Sequence, residues 1–375
     1  MSVVHAPDLD LIASEVETDL RSAVRDLLAD RCAHEAVTRM YDGDRTVVEP
    51  LWRGLAVDIG LTGLLVPEDL GGAGASAVEV AAVLEELGRA SAPVPFLTSS
   101  VVATTALLAC ADNDTACEVI AALAAGERIA ALVVPLSTAP DGSLPDVTAT
   151  GGRLTGTVRS VAGALEADLL VVPAQTTDGV ALYLVESSAA TVEPVVSLDM
   201  ARQIADVTLD GATGQLVLDD SEAVVRSALL AGAGLLASEQ VGIARWCVEE
   251  TVAYLKVRKQ FGRVVGGFQA LKHRLADLYA EVESASATAR YAAAALAAGK
   301  DVPIACRVAA AYCSDIAVRA AEEAVQLHGG IGMTWEHPTH LYLKKAKADQ
   351  IAFGTAGAHR AALAGLVDLK VGETR

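Results

Sequence analysis

Two short segments in the last third of the chain carry side chains suited to holding a ligand. A guanidinium such as that of Arg258 can form forked ion pairs with phosphate, and Phe261 offers a flat apolar face. The amide of Gln326 can donate and accept hydrogen bonds, while Gly329 and Gly330 allow close approach to the backbone where a Cβ would clash. Each residue also has an ordinary structural interpretation, as a surface charge, a core aromatic or a helix end.

The cysteines are spread along the chain without a C-x-x-C pair or a Cys/His cluster. Zinc centres and dithiol redox sites are usually built from such closely spaced ligands. We therefore expect reduced, mostly buried thiols and no metal site. The six residues are Cys32, Cys110, Cys117, Cys247, Cys306 and Cys313.

The charge balance argues against polyanionic macromolecules as partners. The chain has 29 Lys and Arg against 48 Asp and Glu, which gives a formal net charge of -19. Such a charge repels nucleic acids and anionic membrane surfaces. A small polyanion such as a dinucleotide or coenzyme A can still bind, because a few arginines and helix N-termini act on it at short range.

Neither a leader nor a membrane span is expected from the sequence. Residues 1–10 contain two acids and lack the basic and apolar regions of a signal peptide. The apolar run at 227–238 is bounded by Arg226 and Glu239 and is shorter than the roughly 20 residues of a spanning helix. These features predict a cytoplasmic protein.

The pattern of apolar residues predicts an α+β chain in three parts. Helical spacing recurs at 51–61 and 78–87, and a further apolar helix is predicted at 99–111. Steps of three and four residues return at 268–282 and 308–316, where long helices with wide apolar stripes suit a four-helix bundle. The predicted domains are an N-terminal helical domain at 1–127, a middle β domain at 128–220 and a C-terminal helical bundle at 221–375.

The middle domain is predicted to be an antiparallel β barrel or sandwich. Its short segments are rich in Val, Thr and Leu and are separated by Gly, Asp, Pro and Ser. Gly151 and Gly152 mark the clearest hairpin turn. The predicted strands are 129–134, 146–161, 167–174, 180–186, 191–196, 204–209 and 215–218.

Four sequence blocks resemble the acyl-CoA dehydrogenase family, in the family's own order along nearly the whole chain. A single glycine-rich loop is a weak signal, whereas four ordered blocks are specific. The blocks are P-E-D-L-G-G-A-G at 67–74, E-E-L-G at 85–88, R-K-Q-F-G at 258–262 followed by F-Q at 268–269 and L-A-D at 275–277, and A-V-Q-L-H-G-G-I-G at 324–332.

The resemblance implies an FAD-dependent oxidoreductase that introduces a double bond α,β to a CoA thioester. It also implies a homo- or hetero-tetramer with a related subunit, and an electron-transfer flavoprotein or similar acceptor. In this family the flavin lies extended between subunits, so the matching residues are expected to serve the neighbour's flavin. The implied cofactor-binding residues are Arg258, Gln260, Phe261, Gln326, Gly329, Gly330 and Thr355.

The catalytic base of the family is missing from its usual place. The family's E-G-T segment matches F-G-T here, so Phe353 stands where the Glu would be, and a second family position aligns with Gly232. The nearest carboxylate is Glu239, two turns further along that helix, where burial would raise its pKa as a base requires. Alternatively, Glu239 lies at a subunit or domain contact, paired with Arg245 or Arg258, and this interpretation is slightly favoured.

The β domain also departs from the family near the flavin ring. The family's T-E-P-G-A-G-S-D segment is replaced by A-L-V-V-P-L-S-T at 131–138, and its W-x-T or W-x-S by S-V-A at 160–162. The losses fall on the chain's own site, whereas residues reaching a neighbour's flavin are kept. This asymmetry favours a subunit that completes a partner's site in a mixed oligomer. The alternatives are a self-sufficient homo-oligomer with Glu239 as base, and a non-enzymatic structural subunit.

Overall fold

The computed structural model describes residues 9 and 11–368. The prediction that residues 1–10 form no signal peptide therefore falls, apart from Leu9, outside the described residues. All six thiols are free, and all but Cys117 are buried. Burial raises the pKa of the Cys110 thiol to about 11, so that side chain stays protonated at neutral pH.

The N-terminal part is helical, as predicted, but its helices are short and irregular. Ser14 and Ser76 each form a capping box with the Glu three residues later, which fixes where two helices begin. The helix predicted at 99–111 is instead a π-helix, Phe96–Ala103, that continues as a short α-helix ending at Leu108. The α-helices are α1 Glu15–Arg31, α2 His34–Arg39, α3 Val48–Arg53, α4 Ala77–Arg89, α5 Thr104–Leu108 and α6 Asp114–Ala124, and a second π-helix is Gly54–Asp58.

The strands of the middle part form a mixed sheet of eight strands among the described residues. The predicted antiparallel pairing is confirmed for most neighbouring strands, but β1 and β2 both pair with β4 in parallel. The hairpin at Gly151 and Gly152 is confirmed, with both glycines at positive φ between β2 and β3. The strands are β1 Ala130–Leu132, β2 Thr148–Thr150, β3 Arg153–Ala162, β4 Leu169–Thr176, β5 Gly179–Glu186, β6 Thr191–Val195, β7 Ile204–Thr213 and β8 Gln215–Leu218.

Long helices return after the sheet and pack as a bundle. A two-stranded ribbon separates the first two of them. The elements are α7 Glu222–Val257, β9 Lys259–Gln260, β10 Arg263–Val264, α8 Gln269–Ala298, α9 Val302–His328, α10 Thr339–Asp349 and α11 Ala356–Leu366. Helices α7, α8 and α9 pack against one another, and α10 and α11 pack on α9.

Helix α7 is longer and more buried than its sequence suggested. It runs through Glu239 without a break and, by length and composition alone, could cross a membrane. However, 89% of its most apolar stretch is buried inside the protein, as in an interior helix of a globular fold. Gly88 on α4 and Gly242 on α7 let these helices touch, since an added Cβ would lie 2.0 Å and 1.9 Å from the carbonyl oxygens of Glu239 and Glu85.

Candidate active site

Phe353 is buried beside Gly232, the second position at which the family resemblance placed a base. Its side chain is 3% exposed. A Cβ added to Gly232 would lie 3.1 Å from Cζ of Phe353 and 2.8 Å from Cγ2 of Val102. The two positions at which the family resemblance placed a base are therefore in contact across one small space. A phenyl ring occupies that space, and neither position offers a group that can accept a proton.

The cavity left beside Phe353 is too small for a substrate. It measures about 20 Å³, which is room for one water molecule. Ligand pockets for molecules of ordinary size measure about 300–1,000 Å³. The lining is almost wholly apolar and consists of Thr98, Val102, Leu132, Val134, Leu136, Ala162 and Phe353.

The segment 135–142, which follows β1, closes the pocket from above. The backbone N–H of Phe353 donates to the carbonyl oxygen of Leu136 at 2.7 Å. Arg226 on α7 holds the far end, because its Nη1 donates to the carbonyl oxygens of Pro140 at 3.0 Å and Gly142 at 2.9 Å. The segment 131–138, which replaces the family's T-E-P-G-A-G-S-D loop, is thus held near its end at Leu136, and the residues that follow it are held at Pro140 and Gly142.

The backbone beside the expected flavin-ring position is already paired. Ser160 has a φ of 57°, its carbonyl accepts from Leu136 N–H at 2.9 Å, and its own N–H donates to Oδ1 of Asp206 at 2.9 Å. Ala162 is buried and lines the cavity at Phe353. These backbone groups are therefore already paired within the chain, and Ser160 and Ala162 supply neither the indole nor the second hydroxyl of the family's W-x-T or W-x-S.

Glu239 lies in a buried group of charges. It is 4% exposed, and its Oε1 accepts from Nη2 of Arg202 and from Nζ of Lys345, both at 2.7 Å. Desolvation alone would raise the pKa of Glu239, but the charges of Arg202 and Lys345 outweigh it and lower that pKa to about 2. The expected pairing with Arg245 or Arg258 is wrong, since Arg245 lies 3.4 Å from Glu85 and Arg258 is exposed at the end of α7.

Two aspartates complete this group of buried charges. Oδ1 of Asp349 lies 3.4 Å from Nε of Arg202, and Oδ2 of Asp199 lies 3.7 Å from Nζ of Lys345. Desolvation raises the pKa of Asp349 to about 6, although the two cations oppose that shift. Sequence spacing could not reveal the cluster, because its members come from the loop before β7, from α7 and from α10. It fastens the sheet to the bundle.

The residues expected to reach a neighbour's flavin lie on an exposed surface. Phe261 is 91% exposed at the tip of the β9–β10 ribbon, and Arg258 and Gln326 are exposed as well. A Cβ added to Gly329 or Gly330 would meet nothing within 4 Å among the described residues. Open backbone, an exposed guanidinium and a flat ring fit the phosphates and the adenine of a dinucleotide supplied from outside the chain.

An aromatic stack joins the two segments of that surface. Tyr254, one turn before Arg258, stacks on His328 with ring centroids 4.5 Å apart, and His328 directly precedes Gly329. The structure thus brings together the R-K-Q-F-G and Q-L-H-G-G segments. Thr355, the remaining predicted cofactor ligand, lies elsewhere in the sequence and caps α11, where its Oγ1 accepts from Ala358 N–H at 3.3 Å.

The chain is similar to known proteins along most of its length. Residues 14–127 match the family profile for the N-terminal domain of acyl-CoA dehydrogenase, and residues 223–366 match that for its C-terminal domain. Acyl-CoA dehydrogenase IpdE2 of Mycobacterium tuberculosis is 36% identical over 331 residues, which cover 87% of this chain and 89% of that protein.

Two similar solved structures contain named pairs of proteins. The ChsE4–ChsE5 complex from Mycobacterium tuberculosis contains a chain with a TM-score of 0.84 and 29% identity, covering 97% of this chain and 100% of that one. A Tcur3481–Tcur3483 steroid acyl-CoA dehydrogenase variant gives a TM-score of 0.82 and 28% identity, covering 94% of this chain and 98% of that one. The chain described here therefore belongs to the acyl-CoA dehydrogenase family of FAD-dependent oxidoreductases.

Proposed function

We propose that this chain is the partner subunit of a mixed acyl-CoA dehydrogenase oligomer, in which it completes the flavin site of a related, catalytic subunit. The observation that carries the proposal is the position of the Phe353 ring. It packs on Gly232 and leaves a void of about 20 Å³ where this chain's own substrate would bind. The chain's own channel is closed to an acyl group by apolar packing.

The exposed surface supports the second half of the proposal. Arg258, Gln260, Phe261, Gln326 and the Gly329–Gly330 turn remain open to a ligand held by another subunit. Arg258 would hold the pyrophosphate, and Phe261 would cover the adenine. Bound FAD supplies the hydride acceptor for oxidation of the thioester, and this chain's contribution is to bind the distal half of that cofactor.

The self-sufficient alternative requires a base within this chain. Glu239 does not suit that role, because it is already paired with Arg202 and Lys345 and its lowered pKa makes it a poor proton acceptor at neutral pH. A purely structural subunit without a part in cofactor binding is disfavoured by the open guanidinium and glycine turn. Both alternatives make different predictions in the same experiment.

The substrate of the assembled enzyme is proposed to be a CoA thioester whose acyl group is selected by the catalytic partner. This follows because the channel in this chain is filled. The pairing of similar chains in a steroid acyl-CoA dehydrogenase makes steroid CoA thioesters the first compounds to test. An electron-transfer flavoprotein or similar acceptor would reoxidise the flavin, and the complex is proposed to be cytoplasmic.

The test compares three samples: the chain alone, the complex of the chain with any companion of similar size purified from its native host, and that companion alone. Flavin absorbance is recorded, and each acyl-CoA is added under anaerobic conditions. The proposal expects bleaching by a CoA thioester only in the two-subunit complex. Bleaching by this chain alone would establish the self-sufficient enzyme, whereas unaltered flavin binding by the companion without this chain would establish a structural subunit.

A further inference from the structure

Three side chains from three elements of the bundle converge beneath the Gly329–Gly330 turn. They are Glu250 on α7, His328 at the end of α9 and His337 before α10. One potential ligand atom from each lies within 4.8 Å of the other two. Nε2 of His337 is 3.8 Å from Oε1 of Glu250, and the two imidazole centroids are 4.2 Å apart.

His328 is oriented as a metal-binding histidine is. Its Nδ1 lies 2.7 Å from the carbonyl oxygen of Ala324, which can only accept, so Nδ1 carries the proton. Its Nε2 therefore presents a lone pair, and within the described part of the chain that atom has no hydrogen-bond partner although the residue is only 2% exposed. A carbonyl that holds one imidazole nitrogen while the other faces a metal is the usual outer arrangement of such sites.

The other two residues complete the ligand set. Nδ1 of His337 accepts from the backbone N–H of Thr339 at 3.4 Å and lies 3.3 Å from Oγ1 of Thr339, whose hydroxyl proton is given to the carbonyl of Gly332. Metal binding through Nε2 therefore requires the tautomer in which Nδ1 donates to Oγ1 of Thr339 and the contact with the Thr339 N–H is given up. The side chain of Glu250 is 40% exposed, which provides both a negative charge and a path from solvent.

We propose that Glu250, His328 and His337 bind one divalent transition-metal ion, with Zn²⁺ the best match. Two imidazoles and one carboxylate suit zinc, whereas Mg²⁺ and Ca²⁺ prefer oxygen ligands only. Tetrahedral zinc with bonds of about 2.0–2.1 Å holds its ligand atoms about 3.3 Å apart. Each of the three ligand atoms, now within 4.8 Å of the others, would have to move about 1 Å toward their common centre, which side-chain rotation can supply. Water can take the fourth position.

The ion would tie three elements together at one point. Glu250 belongs to the helix that ends at Arg258, and His328 directly precedes Gly329. Binding would therefore fix the Gly329–Gly330 turn against α7. The ion would stabilise the positions of the turn and of Arg258 without itself contacting a bound cofactor. The site is independent of the proposed role in a mixed oligomer.

The test uses the full-length protein after dialysis against a chelator. Zn²⁺ is titrated in competition with a chromophoric chelator, and Co²⁺ is added separately so that its visible absorption reports the ligand geometry. The expected result is one high-affinity ion per chain. Glu250→Gln and His337→Gln should each weaken Zn²⁺ binding at least about tenfold, since each removes a direct ligand. His273→Gln, which changes an exposed histidine on α8, is the matched control and should bind as the unaltered protein does.

Two outcomes would overturn the site. Absence of a high-affinity ion in the unaltered protein would do so, as would equal binding by His337→Gln and His273→Gln, which would reveal adventitious binding only. His337 is less buried than His328, so its Gln variant is expected to fold, and circular dichroism of each variant checks this. A Co²⁺ spectrum typical of six oxygen ligands and unchanged by both substitutions would also contradict the proposed site.

Discussion

Glu239 and Asp349 lie in the same buried group of charges, yet their pKa values are shifted in opposite directions, downward for Glu239 and upward for Asp349. Glu239 accepts from both cations at 2.7 Å, whereas Asp349 lies 3.4 Å from Arg202 and keeps a buried oxygen without a hydrogen-bond partner among the described residues. The shorter contacts stabilise the ionised form of Glu239. Desolvation dominates at Asp349 and favours its protonated form.

The raised pKa of Asp349 predicts a pH-dependent stability. The ordinary pKa of an aspartate is 3.8, and that of Asp349 in the fold is about 6, so the folded state binds more protons between those values. Its contribution to the free energy of unfolding is present below about pH 4 and is lost as the pH rises through about 6. Urea unfolding of the Asp349→Asn variant should lack this decline, and parallel curves for the two proteins would contradict the assignment.

Replacing Glu239 separates its structural role from a catalytic one. Glu239→Gln leaves Arg202 and Lys345 buried with too little opposing charge, a loss of about 3–5 kcal/mol in stability. The exposed pair of Glu322 with Lys347 provides the control, and Glu322→Gln should change stability by less than about 1 kcal/mol. Turnover per folded complex should be unchanged. A stable variant with turnover reduced by several decades would instead identify Glu239 as the base.

Replacing Phe353 with Glu should not restore a dehydrogenase. The change removes a buried ring and places a carboxylate in an apolar cavity, which should cost at least about 3 kcal/mol. Phe353→Leu keeps the apolar character and should cost less. The checks are thermal unfolding and turnover of a panel of acyl-CoAs by the chain alone, saturated with FAD. A working enzyme from the Glu variant would require an intact flavin-ring site and would rule out the partner-subunit proposal.

At the scale of elements, the segment 135–142 borders the pocket through Leu136. Arg226 holds it through two carbonyls, and Phe353 binds its other end through Leu136. Arg226→Ala should free the segment and lower stability by about 1–3 kcal/mol. Hydrogen exchange should then rise at 136–142. Lys256→Ala, an exposed change near the end of the same helix, should leave exchange at 136–142 unaltered. Equal exchange in both variants would show that Arg226 does not hold this segment in place.

Secondary structure was predictable wherever local pattern decides it. The predicted strands overlap all the large strands because alternating Val and Thr between Gly and Asp turns leave little choice. The parallel pairing of β1 with β4 depends on contacts far apart in sequence, so local pattern could not reveal it. The π-helix at Phe96–Ala103 is likewise a packing effect, since every one of its residues is buried.

The same division holds for the candidate site. Phe353 and Gly232 could be singled out by their family positions, but their mutual contact could not. Arg202 and Lys345, the partners of Glu239, carry no motif and come from different elements. The family positions therefore showed that the usual base is absent. Only the fold showed that Phe353 packs against Gly232 and that Glu239 is already paired with two cations.

At the scale of the whole molecule, the closed pocket and the exposed surface have opposite properties. The pocket at Phe353 is small and almost wholly apolar, whereas Arg258 and the Gly329–Gly330 turn are exposed. The net charge of -19 repels an anionic cofactor, so a local positive charge such as the exposed guanidinium of Arg258 is needed to hold one on this surface. The proposed partner-subunit role assigns a cofactor that meets this surface to another subunit.

The last prediction follows from that separation. Arg258→Ala removes a charge-assisted, forked contact with a pyrophosphate, worth about 1.5–3 kcal/mol, which corresponds to roughly tenfold or more in FAD affinity of the assembled complex. Lys256→Ala removes an exposed positive charge two residues earlier and is the matched control. FAD content is measured after gel filtration at low cofactor concentration. Under the partner-subunit proposal the loss should appear in the two-subunit complex, and equal flavin retention by both variants would show that Arg258 does not bind the cofactor.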